Sequence, residues 1–110
     1  MNLLVALAMA VSGLLSITPT AGQAPFEPRI EMSVQGPFTG DACLSIDDLA
    51  TPEDEMSAWC IELSIGEGAT GIIPFELTGG APGKFLFTGF LMQNGVESER
   101  LNSVVVTVTE

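Results

Sequence analysis

The chain is expected to fold as a small all-β protein: an antiparallel β-sandwich, immunoglobulin-like in broad architecture, with an N-terminal hydrophobic segment and one short helical excursion. Three observations predict this class. Apolar residues recur at every second position in several short runs, the period of a half-buried strand. Turn chemistry such as Gly36-Pro37 and Asn94-Gly95 separates the runs. Of the 110 residues, 46% are hydrophobic and 15% charged, a balance that buries enough apolar surface to fold and a length that supports one core.

At the N-terminus, residues 3–17 (LLVALAMAVSGLLSI) form an apolar stretch ended by Pro19. It has the length of a signal-peptide h-region and falls short of the roughly 20 residues that cross a bilayer. Small residues follow, and Gly22 or Ala24 offers a cleavage point, although Pro25 would then lie at the new terminus and no Lys or Arg precedes the stretch. The expected division is residues 1–24 as signal peptide or hydrophobic anchor and residues 25–110 as the sandwich. A retained helix would instead pack against partners through Ala6, Ala10 and Gly13.

Strands are then read in order. Ile30, Met32 and Val34 alternate with polar residues up to Gly36-Pro37. Over 59–65, Trp59, Ile61, Leu63 and Ile65 share one face and Cys60 lies on the other, with Trp59 expected in the core. Over 72–78, Ile73, Phe75 and Leu77 face one way, and Pro74, which cannot donate a ladder hydrogen bond, marks an edge strand. Residues 84–92 (KFLFTGFLM) are apolar on both faces, predicting a central strand covered on both sides. Asn94-Gly95 is the strongest hairpin dipeptide, and the polar run after it predicts a short strand or loop. Finally Val104, Val106 and Val108 alternate with Val105, Thr107 and Thr109.

Residues 41–58 break that rhythm. They hold Asp41, Asp47, Asp48, Glu53, Asp54 and Glu55, with helix-start chemistry at Ser45 before Ile46-Asp47-Asp48 and at Thr51 before Pro52-Glu53-Asp54. One or two helical turns are expected. Cys43 and Cys60 bracket the segment and are the only cysteines. An even count in a short chain with an export-like terminus predicts one disulfide, which would tie the acidic excursion to the outer face or edge of the sheet.

Charge narrows function. Fourteen acids against Arg29, Lys84 and Arg100 give a net charge of -11, which excludes a phosphate-binding surface and hence nucleic acid as a partner. The chain has no His and no Tyr, so every imidazole-dependent triad is excluded and no catalytic residue is assigned. Gly66-Glu67-Gly68-Ala69-Thr70-Gly71 matches a dinucleotide fingerprint in letters, but a strand pattern follows where a helix is required. A flexible hairpin loop is the expected reading.

The acidic cluster is the one candidate site, for a metal or a protein partner: Asp41, Asp47, Asp48, Glu53, Asp54 and Glu55. Calcium takes six to eight oxygens, yet no EF-hand spacing occurs, and capping explains carboxylates at helix starts without a ligand. No cofactor is expected beyond a candidate calcium. The expected function is a noncatalytic exported module, secreted or periplasmic, binding a protein partner or forming part of a surface or virion assembly through the acidic disulfide-tied loop or an exposed strand edge. Two alternatives are a membrane-held accessory subunit with an uncleaved N-terminal helix and a calcium-binding secreted module. Membrane contact is expected only if the N-terminal segment is retained.

Overall fold

A computed structural model describes residues 13–51, 57–77 and 80–110. Over these residues the chain is all β, in two packed sheets with no helix. The strands are β1 (Gly13–Thr18), β2 (Ala21–Gln23), β3 (Arg29–Gln35), β4 (Phe38–Asp48), β5 (Ser57–Ile65), β6 (Thr70–Phe75), β7 (Gly83–Gln93) and β8 (Val96–Thr109). One sheet has the order β1-β3-β6 and the other β2-β8-β7-β4-β5. All pairs are antiparallel except the short β2, which runs parallel to β8.

Alternation places the core. Leu15 and Ile17 from β1, Ile30, Met32 and Val34 from β3, and Ile73 and Phe75 from β6 form the inner face of the smaller sheet. Ala42 and Leu44 from β4, Phe87 and Leu91 from β7, and Val106 and Val108 from β8 face them. Each inward residue is flanked by outward ones, so a shift of one residue in any strand would move its whole apolar set into solvent. The Asn94-Gly95 hairpin is as expected: φ is 55° at Asn94 and 78° at Gly95, the two left-handed residues of a tight turn whose twist matches the flanking strands.

Several expectations are corrected. The last five residues of the N-terminal apolar stretch, 13–17, are strand, because Leu15 and Ile17 are buried while Leu14 and Ser16 are exposed, a period of two rather than a helical one. β1 lies in the smaller sheet, and after Pro19 the chain changes layer so that β2 joins β8. Among the described residues no helix is long and apolar enough to cross a membrane. The first expected helical turn is also strand, since Ser45, Ile46, Asp47 and Asp48 pair with Thr88, Phe87, Leu86 and Phe85 of β7. Pairing on both sides of β4 outweighs the local capping preference of Ser45. The second expected turn, at residues 52–54, lies outside the described residues.

Three further differences concern layers. β7 is central within its sheet, as read, but its two faces differ among the described residues: Phe87 and Leu91 are buried on the inner face, while on the outer face Thr88 is buried and Leu86, Phe90 and Met92 are half-buried. The polar run after Gly95 belongs to one continuous 14-residue strand, β8, whose register against β7 shifts twice. The glycine-rich segment after β5 does not form a hairpin, because β5 and β6 lie in different sheets. It carries the chain across the sandwich, with Gly68 at φ 79°.

Candidate functional site

The disulfide joins Cys43 of β4 to Cys60 of β5, directly opposite each other in the ladder. Their Cα atoms are 4.1 Å apart, the spacing of a narrow, non-hydrogen-bonded antiparallel pair. Alternation then sets the rest of β5: Ser57, Trp59, Ile61, Leu63 and Ile65 hydrogen-bond to β4, whereas the N–H and C=O groups of Ala58, Cys60, Glu62 and Ser64 point away from it. Because β5 ends its sheet among the described residues, these groups form an open row along that edge.

The acidic residues do not assemble into a cluster over the described positions. Asp41 and Asp47 lie six residues apart on the outer face of β4, roughly 20 Å at strand rise, and Asp48 projects to the opposite side. Asp48 accepts a hydrogen bond from the backbone N–H of Ala50 at 2.9 Å, closing the turn after β4. Glu53, Asp54 and Glu55 lie outside the described residues. Asp41 instead stands directly across from Glu62, a carboxylate pair of like charge that the sequence reading did not include. Among the described residues no group of three or more His, Cys, Asp or Glu side chains is placed to hold a metal ion.

Trp59 departs furthest from expectation. It was expected in the core and is 49% exposed. Its partner across the ladder, Leu44, is buried in the core, so Trp59 does face inward, but a three-stranded layer cannot cover a five-stranded one from edge to edge. The uncovered strip is an apolar groove of about 240 Å³, with Leu44, Ile46, Trp59 and Ile61 on one wall and Phe75 and Leu77 on the other. A second hollow of about 220 Å³ shares Ile46 and Leu77 with it and continues towards Phe26, Phe85 and Val108.

The opposite side of the sandwich is closed. Asn102 of β8 accepts a hydrogen bond from the backbone N–H of Leu15 at 2.6 Å and donates from Nδ2 to the Leu15 carbonyl at 2.8 Å, so one side-chain amide satisfies both outward groups of β1 at that point. Nearby, the hydroxyls of Thr88 and Ser103 bond at 2.8 Å across β7 and β8. An isolated Asn in a polar stretch carries no sequence signal for this role. The ion pair of Arg100 with Glu97, at 3.0 Å, is exposed; its hydrogen bond and charge raise the Arg100 pKa above its ordinary value, which leaves an already protonated guanidinium unchanged at neutral pH.

No family model and no curated protein sequence matches the chain. Solved structures do share its fold. A Pseudomonas fluorescens alkylpurine DNA glycosylase, AlkC, bound to DNA containing an abasic site analog, is similar at a TM-score of 0.67 and 18% identity; the match covers 93% of this chain and 32% of that one. The chain therefore spans about a third of the length of that enzyme. The CARDB domain of a Pyrococcus furiosus protein, solved in complex with di-metal ions, is similar at a TM-score of 0.56 and 13% identity, covering 89% of this chain and 91% of that domain. At these identities the likeness establishes a β-sandwich, immunoglobulin-like in broad terms.

Proposed function

We propose that the protein is a noncatalytic exported module that binds a protein partner within a periplasmic, surface or virion assembly. The observation that carries this reading is the open β5 edge bordered by an apolar groove, a surface suited to main-chain pairing with another chain. The disulfide is consistent with an oxidising compartment, which supports export independently of any N-terminal cleavage. DNA is not proposed as a partner, although the glycosylase structure contains it, because three cations against fourteen acids supply no surface for phosphates.

The test is fractionation and in-situ cross-linking of the full chain in its native host. Disulfide-bonded protein outside the cytoplasm, cross-linked in fixed ratio to another component, is the expected result. Reduced, uncomplexed protein in the cytoplasm would overturn the proposal.

A further inference from the structure

Edge strands invite pairing with foreign strands, and folded proteins blunt them by shortness, proline, charge or cover. Among the described residues, three of the four sheet edges are shortened, covered or interrupted by proline. β2 is only three residues long and lies between Pro19 and Pro25. β1 is closed onto β8 by the Asn102 amide. β6 carries Pro74, which removes a donor from the ladder. β5 carries no proline and, among the described residues, no cover across its nine positions; its one charge is Glu62. Its free N–H and C=O groups lie beside Trp59 and Ile61, which are 49% and 38% exposed, in an apolar groove.

Charge selects the occupant. No Lys or Arg lies on β4, β5 or β6. On the outer face Asp41 and Glu62 stand opposite each other beside the edge, and Glu76 lines the groove. A strand laid against β5 would place alternate side chains towards the groove and towards the carboxylate pair. Apolar residues fit the first position and basic residues the second. A second copy of this chain would instead bring together two molecules of net charge -11, each lacking basic residues on this edge.

We infer that the β5 edge, with the Trp59 groove beneath it and the Asp41–Glu62 pair above, accepts by strand addition an extended segment of another protein that alternates apolar and basic residues. This rests on the proposed binding function and specifies its site and partner chemistry.

Trp59 is the sole tryptophan and reports directly on the groove. The full oxidised chain is titrated with three acetylated, amidated octapeptides: repeating Lys-Val, repeating Glu-Val, and repeating Lys-Val N-methylated at every residue. Lys-Val is expected to shift the Trp59 emission to shorter wavelength and saturate. Glu-Val lacks the charge and N-methylated Lys-Val lacks main-chain donors, so each is expected to bind at least about tenfold more weakly. Glu62→Lys is expected to weaken Lys-Val binding about tenfold without loss of fold. Ala58→Pro, which deletes an outward N–H that β4 does not use, is expected to abolish it. Melting curves accompany both variants; should Ala58→Pro unfold, Glu62→Lys decides. Equal response to Lys-Val and its N-methylated form would reduce the effect to bulk charge and overturn the inference, as would no response or an unchanged affinity in Glu62→Lys. Sedimentation of the wild type as a dimer that Ala58→Pro separates would identify a second copy as the occupant and overturn it too. Failure of the peptides leaves fractionation to judge the broader proposal, so the two can fail separately.

Discussion

At the scale of single residues, side-chain amides and carboxylates on the strand surfaces decide more than their exposure suggests. Asn102 makes two hydrogen bonds to one backbone residue, Leu15. Asn102→Leu leaves both groups of Leu15 unpaired in a part-buried position, and a loss of roughly 1–3 kcal/mol is expected in chemical denaturation. An unchanged midpoint would show that water replaces the amide fully. Asp41 and Glu62 present the opposite case, with like charges directly across a ladder. Glu62→Lys converts repulsion into attraction and is expected to stabilise the fold by roughly 0.2–1 kcal/mol, read as a higher denaturation midpoint. A lower midpoint would mean that something other than charge holds that pair.

At the scale of elements, the disulfide and β1 carry the sharpest expectations. Cys43 and Cys60 are 17 residues apart, and closing a loop of that size contributes about 3 kcal/mol in the chain-entropy model. Reduction is therefore expected to lower the melting temperature by more than about 10 °C in a domain of this length. Non-reducing peptide mapping supplies the chemical check, since two thiols alkylated without reductant would remove the premise. For β1, Leu15 is 2% exposed and Ile17 7%, so Leu15→Ala is expected to cost about 2–5 kcal/mol. A chain lacking residues 1–24 loses β1 and β2 together and is expected to melt without cooperativity by calorimetry. Cooperative unfolding of that shortened chain would show that the sandwich closes without them.

At the scale of the whole molecule, net charge opposes compaction. With a net charge of -11 and no carboxylate buried among the described residues, self-repulsion is screened as the Debye length falls from about 30 Å at 0.01 M salt to below 10 Å above 0.15 M. The melting temperature is expected to rise over that interval in NaCl. Calcium chloride at matched ionic strength is expected to do no more than NaCl; a larger rise would favour the calcium-binding alternative. Much of this molecule was legible from its letters, because local alternation is dictated by the pleat itself. The strands around Ile30–Val34 positions, Trp59–Ile65 positions and Val104–Val108 positions, the Pro74 edge, the Asn94-Gly95 turn and the Cys43–Cys60 bond all follow from period, backbone restriction and parity. Layering was not legible. An apolar run containing Leu15 and Ile17 has the composition of a helix or a strand, and only pairing with β3 selects the strand. Ser45 carries a capping side chain, but ladders on both sides of β4 hold it extended. Trp59 points inward as its parity requires, yet its exposure depends on how far the opposing sheet reaches. Parity along a strand is a local property, fixed by backbone geometry, whereas coverage depends on strands distant in the chain, so the groove beside β5 exists only once the two unequal sheets have packed.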